Sequence, residues 1–332
     1  MFNLKFKKLF GFLGLFALIF TTLSGQSFAK KHPTYASKTC NGQIQVVIHA
    51  SYGGGTDTTA RMMSIRTRRT LNTDIQIVGK RGGSGAKAQN YTLTRPKDGC
   101  TIMALTESHL YTMARGKSNM KINDLVGVAR AMEEPTFVVV NAKNKELSTV
   151  KKMIKRAQKK PISVAIASIG GTEHIGMYSY SKAANIPFKA VSFGSGAQSL
   201  QALASGKVEA SLLNPSEAAA LIADKKIKAI VLLHDKALAD YPKVKTSYSM
   251  GHKVKVVTTR GYAVLKGTPQ SVIDEISKGM VKAMKHETFG NYLKGASLDP
   301  ATSPAGTKVW DKQLKENYKK AAAALKGLGL TK

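Results

Sequence analysis

Acidic side chains are scarce in this chain. Twenty Asp and Glu stand against 51 Lys and Arg in 332 residues, a formal charge of +31. An excess of that sign raises nucleic-acid or anionic-surface binding as a function. The pattern argues against nucleic acid. The lysines run along the whole length, as at Lys151-Lys152, Lys155-Arg156 and Lys319-Lys320, and no aromatics interleave with them as base-stacking platforms require. The charge reads as a generally basic surface whose field draws anionic solutes in.

Long apolar runs are missing after the start. Lys5, Lys7 and Lys8 precede an apolar run of 12 residues, 9–20, shorter than the roughly 20 needed to span a bilayer. A polar stretch then ends at Ser27-Phe28-Ala29, with small residues where a signal peptidase reads. Residues 1–29 therefore read as a Sec-type signal peptide cleaved after about Ala29, without a cysteine for a lipid anchor. Removing it takes three lysines from +31 and leaves +28. The processed chain is expected to be exported to the periplasm and soluble, with no direct membrane insertion.

Cysteine is nearly absent too. Cys40 and Cys100 are the two in the chain, and no C-x-x-C spacing exists, which argues against a redox pair. An even count in an exported protein suggests one disulfide. Cys40 lies just before the first expected strand and Cys100 opens the strand expected over 101–105, so the sulfurs could meet if those strands are parallel neighbours. Neither G-x-G-x-x-G with a following acid nor G-x-x-x-x-G-K-[ST] occurs. Of seven histidines, His49, His109 and His174 could approach a cleft, but no H-x-x-x-H or nucleophile pattern accompanies them. No catalytic residue, metal site or cofactor is expected.

What is present is alternation. Strand-like segments at 44–48, 75–78, 101–105, 137–140, 163–167, 188–191, 210–213, 229–233 and 261–265 alternate with helical ones. The helix after Thr149 is the cleanest, with Val150, Met153, Ile154 and Ala157 on one face and basic residues opposite. Repeated β-α order predicts an α/β fold with doubly wound parallel sheets. Two domains are expected, residues 30–136 plus 257–332 and an inserted 137–256. The chain would cross between them twice, as in a hinged Venus flytrap.

Ligands of such sheets sit beyond the carboxyl ends of the strands. Five strand-to-helix turns there look built for a ligand: residues 51–57, 82–85, 168–174, 195–198 and 214–217. The first, Ser51-Tyr52-Gly53-Gly54-Gly55-Thr56-Asp57, either makes a tight connection or cradles an anion on backbone N–H groups at a positive helix end. Taken together, the five suit a carboxylate.

The chain resembles the tripartite tricarboxylate transporter substrate-binding family (Bug-type, TctC-like receptors). Tyr52-Gly53-Gly54-Gly55-Thr56-Asp57 with Ala60-Arg61 is similar to its P-G-G-x-x-D…A-R element, and Arg81-Gly82-Gly83-Ser84-Gly85 to its R-P-G-A-G-G turn. Asp98-Gly99-Cys100-Thr101, Val139-Val140-Asn141, Gly170-Gly171-Thr172-Glu173-His174, residues 191–209 and Gly267-Thr268-Pro269 continue the likeness in order. The resemblance implies a monomeric periplasmic binding protein, type II-like, that captures a small organic anion and delivers it to membrane transporter subunits. It implies two loops gripping one carboxylate: Ser51, Tyr52, Gly53, Gly54, Thr56 and Asp57 on one side, Ser168, Gly170, Gly171, Thr172 and His174 on the other. Thr106, Ser108, Ser192, Phe193 and Asn214 would line the rest of the pocket. A sensory receptor docking onto a signalling kinase would share all of these features. His49, Ala50 and Tyr52 depart from the family's usual residues, and Glu107 is an acid beside the pocket, placed either to meet an amine or hydroxyl of the ligand or to face solvent, with solvent the favoured expectation.

Overall fold

Strand β1 (Gln43–Ile48) shows how the molecule is layered. Ile44, Val46, Val47 and Ile48 are all fully buried, so both faces of the strand are covered, as a sheet with helices on each side requires. The computed structural model describes residues 38–331; the segment read as a signal peptide lies outside them. After β1 the chain runs α1 (Gly55–Thr70), β2 (Asp74–Gly79), α2 (Ala86–Leu93), β3 (Thr101–Leu105), α3 (Glu107–Ala114), β4 (Leu125–Pro135) and β5 (Phe137–Asn141). It continues through α4 (Val150–Lys159), β6 (Ile162–Ile166), α5 (Thr172–Ala184), β7 (Phe188–Ser192), α6 (Gly196–Ala204), β8 (Ala210–Leu213), α7 (Pro215–Ala223) and β9 (Ile227–Leu232). It ends with β10 (Val257–Leu265), α8 (Gln270–Met284), α9 (Glu287–Gly295), β11 (Ala305–Gly306) and α10 (Thr307–Gly327).

Among these residues the strands form two sheets, ordered β11-β4-β10-β3-β1-β2 and β7-β6-β8-β5-β9. Each sheet with its helices is a lobe. The sheets are mixed, where the β-α alternation predicts parallel ones. β1 is parallel to β2 and β3, and β6 to β7 and β8, but β10 is antiparallel to β3 and β4, and β5 to β8 and β9. The cause is the connectivity: β4 leaves the first lobe and β10 returns to it, so the pair must run in opposite directions. Thr136 alone separates β4 from β5.

In the first lobe, Ala60 and Met63 of α1 pack with Ile276 and Met280 of α8 on one face of the sheet, while Trp310 and Leu314 of α10 cover the other. Each of the buried Met, Ile and Leu side chains contributes roughly 1.5–3 kcal/mol by transfer from water. Trp310 donates its indole N–H to the Tyr262 carbonyl at 3.0 Å. Its ring leaves no room at Gly261, where a Cβ would lie 2.3 Å away. In the second lobe, α4 begins at Thr149, whose side chain accepts from the Lys152 N–H. It buries Val150, Met153 and Ala157 against β5 and β6, the face that periodicity predicts.

Cys40 and Cys100 are bonded to each other. β1 and β3 are parallel neighbours with Gln45 opposite Thr101, which brings the residues just before each strand together.

Candidate functional site

The strand ends of both sheets point into one cleft, and helix starts face each other across it. A small inner cavity of about 30 Å³ is lined by Gly55 and Thr56 at the start of α1, Thr106 and Ser108 at α3, Thr172 and Glu173 at α5, Ser195 and Gly196 at α6, and Glu217 in α7. β10 contributes Thr258 and Arg260. These helix ends carry partial positive charge directed at the cavity. His49, Ala50 and Ala167 form the neck of the cavity and also border a larger outer one of about 530 Å³. Arg81, the glycine turn 82–85, Ser168, Ile169, Ser192 and Gly194 line that outer cavity.

Direct bonds join the lobes around the cleft. The Ser51 N–H donates to the Gly194 carbonyl at 3.2 Å, and its hydroxyl to Gln198 Oε1 at 3.0 Å. The Gly55 N–H donates to Glu217 Oε1 at 3.3 Å. Ser108 Oγ accepts from the Thr172 N–H at 3.1 Å, and Ser84 donates to the Ile169 carbonyl at 2.6 Å. Arg115 reaches the Gly170 carbonyl at 3.0 Å. A Cβ on Gly54 would stand 2.8 Å from that of Ser195. The two jaws touch, and glycine makes that approach possible.

Below the cavity lies a buried ionic network that sequence reasoning missed. Arg260 is 4% exposed and Glu134 fully buried, and their side chains form an ion pair. Glu134 also accepts from the Ser216 N–H at 3.0 Å and the Ser216 hydroxyl at 2.9 Å, at the start of α7 in the other lobe. Arg260 donates to Asn214 Oδ1 at 3.2 Å, and Asn214 Nδ2 donates to the Pro135 carbonyl at 3.0 Å. The two lobes are thus stapled beside the crossing at Thr136. No local signal marked the pair: Glu134 and Arg260 fall just outside the strand-like runs at 137–140 and 261–265, and only the assembled sheet shows them as buried charges, which must be paired.

The cleft also holds acids in unusual surroundings. Burial pushes the Glu173 carboxyl up to about 7, with the Glu217 charge adding to the rise and Arg260 opposing it. Burial raises Glu217 as well, against the pull of Arg260. Burial likewise takes Glu107 up to about 7, despite hydrogen bonds from Thr259. Glu107 is expected from the sequence to face solvent; instead its carboxylate turns inward and accepts from the Thr259 N–H at 2.7 Å. Burial and the Arg260 charge hold His49 down at about 4, so it is neutral. Its ring meets that of the buried His109 edge-on at 4.1 Å, and His109 accepts from the Thr106 N–H.

The residues singled out from the sequence divide into groups. Thr56, Thr106, Ser108 and Thr172 line the inner cavity, and Ser168 and Ser192 the outer. Ser51, Gly54, Gly170 and Gly171 are jaw residues held against the opposite lobe or their own turn. Asp57 and His174 brace these turns: Asp57 accepts from the Gly53 N–H and from Arg61, and His174 Nδ1 accepts from the Gly170 N–H. Tyr52 points outward, 57% exposed, and accepts from the Gly79 N–H. Phe193 borders a separate recess with Gln198 and Lys207. Asn214 belongs to the network beneath the cavity. Gly55, Glu173, Gly196 and Glu217, from the turns expected to face a ligand though not named individually as site residues, complete the inner wall with Arg260, which was not foreseen there. Among the described residues, no group of three or more His, Cys, Asp or Glu could hold a metal ion, and no helix is long and apolar enough to cross a membrane.

Two mixed α/β lobes, two chain crossings and facing helix starts define a two-domain, type II-like periplasmic binding protein. The chain belongs to the tripartite tricarboxylate transporter family of receptors, TctC, whose profile matches residues 59–330. Receptors of this family are periplasmic solute-binding proteins, not enzymes. Protein BugT of Bordetella pertussis is 22% identical over 277 residues, covering 80% of this chain and 82% of its own. MatC of Rhodopseudomonas palustris, solved with bound malate, superposes with a TM-score of 0.79 at 20% identity, covering 85% of this chain and 98% of its own. Rpa4515 of R. palustris, solved with adipate, gives 0.79 at 18% identity, with coverage of 86% and 97%.

Proposed function

We propose that this protein captures a small carboxylate in the cleft between its lobes and hands it to the membrane subunits of a tripartite tricarboxylate-type transporter. One observation carries the reading: the starts of α1, α3, α5 and α6, from both lobes, line a single cavity together with Arg260. Helix ends and a buried guanidinium favour an anion there, and backbone N–H groups and hydroxyls can satisfy its oxygens. The carboxylates in the MatC and Rpa4515 structures, malate and adipate, support the same ligand class.

In this reading residues 30–136 with 257–332 form one domain and 137–256 the other, after removal of residues 1–29 on export. Thr56, Thr106, Ser108 and Thr172 contact the ligand, and the turns 51–57 and 168–174 act as jaws. The inner cavity is smaller than a four-carbon acid, so the lobes part about the crossings at 136 and 256–257 to admit one. A monomer suffices, since both jaws come from one chain. Calorimetric titration with mono-, di- and tricarboxylates tests the binding; a folded protein that binds none of them refutes it. Crosslinking in intact cells tests the partner, and capture of a sensor kinase in place of transporter subunits would replace transport by signalling.

A further inference from the structure

We infer that the buried end of the ligand carries a protonated amine beside its carboxylate, and that Glu173 is the residue that selects for it. The inference rests on the carboxylate-receptor reading above and narrows its substrate class to 2-amino acids.

The inner cavity is a place where polar atoms lack partners. Glu173 Oε2, Arg260 Nε and His49 Nδ1 all belong to residues that line it, all are shut off from solvent, and none has a hydrogen-bond partner within the protein. Buried polar atoms are ordinarily bonded, so a cluster of exceptions around one cavity calls for a group that satisfies them. The atoms differ in kind. Arg260 Nε–H can only donate, and it calls for an acceptor such as a carboxylate oxygen. An ionised Glu173 can only accept, and it calls for a donor.

Charge decides between possible donors. Arg260 is already paired with Glu134, and Glu217 spends its oxygens on the Gly55 and Asn214 N–H groups. Glu173 is left with no cation of its own. A plain dicarboxylate entering here would add negative charge beside two buried carboxyl groups, and such crowding is unfavourable in a desolvated site. An ammonium group supplies three donors and the missing positive charge. A hydroxyl supplies a donor without the charge. Burial raises the Glu173 carboxyl to about 7, so the demand for a cation grows as pH rises through neutrality.

The test uses the purified protein and three matched pairs: succinate and aspartate, glutarate and glutamate, adipate and 2-aminoadipate. Calorimetry at pH 8 is expected to give at least tenfold tighter binding of the amino acid in the best-bound pair. In Glu173→Gln that preference should fall to within about threefold, mainly through loss of the amino acid's affinity. In the wild type the preference should shrink between pH 8 and pH 6. Equal or tighter binding of the unsubstituted diacid by the wild type overturns the inference and leaves the carboxylate reading standing. Malate bound as tightly as aspartate overturns the choice of an amine. Retention of the full preference by a folded Glu173→Gln overturns the role of Glu173. If no member of any pair binds, this inference falls, and the wider titration with mono-, di- and tricarboxylates decides the carboxylate reading separately. The wild-type comparison decides even if the variant fails to fold.

Discussion

Replacing Gly54 by alanine is a clean probe of whether the jaws must meet. Gly54 has φ −77° and ψ 169°, extended backbone that any residue adopts, so alanine adds no backbone strain. What it adds is a methyl group 2.8 Å from the Cβ of Ser195 in the other lobe. Carbon atoms pack best at about 3.5–4.0 Å, so the jaws must separate there by about 1 Å. The Ser51 N–H to Gly194 bond at 3.2 Å and the Gly55 N–H to Glu217 bond at 3.3 Å would then exceed hydrogen-bonding range. Two such bonds at about 1 kcal/mol each come to about 2 kcal/mol, or about thirtyfold in affinity if closure is needed to hold the ligand. Titration calorimetry with the best carboxylate measures the affinity, and small-angle scattering measures the compaction on binding. Gly54→Ala should unfold cooperatively like the wild type, bind about thirtyfold more weakly and compact less. Affinity within twofold of wild type in a folded variant would falsify the closing-jaw account.

Other predictions concern the frame. Glu134→Ala strips the buried Arg260 of its counter-charge and should cost about 3–5 kcal/mol, read from denaturant midpoints; a loss under 1 kcal/mol would mean the staple is not needed. Replacing Cys40 and Cys100 by serine opens a link between positions separated by 60 residues, for which chain entropy gives a loss of about 4 kcal/mol, and an unchanged midpoint would show that the bond is idle. Glu107 has a folded pKa of about 7, raised by burial from 4.5. Its contribution to stability is therefore complete below pH 4.5 and is lost as pH rises through 7, up to about 3 kcal/mol. Glu107→Gln should flatten the stability profile between pH 5 and 7, and an unaltered slope would assign that slope to other groups.

The legible parts of this chain are those whose cause is local. Gly53, Gly82, Gly83 and Gly85 all have positive φ, and glycine at such turns announces itself. The apolar face of α4 follows from a 3.6-residue period within ten residues. The disulfide follows from cysteines that precede two strands. What escaped depends on distant partners. β4 is broken to the eye by Gly127, Arg130, Glu133 and Glu134, yet Gly127 lies under Trp310 and Glu134 meets Arg260 more than a hundred residues away. Arg260 and Gly261 interrupt β10 for the same reasons, and the β4–β10 register shifts beside them. Glu173 and Glu217 read as ordinary acids in first helical turns, where the helix dipole favours them; their facing one cavity is a property of the assembled lobes. The expectation of parallel sheets went astray because β-α alternation does not reveal the strands that carry the chain out of one lobe and back.

The central claim is that a carboxylate sits where the helix starts of both lobes meet. A crystal structure with the best-binding acid tests it most directly. The account predicts a carboxylate group in the inner cavity, within hydrogen-bonding distance of Arg260 Nε and of donors at the starts of α1 and α5. An acid found only in the outer cavity beside Arg81, or bound outside the cleft altogether, would contradict it.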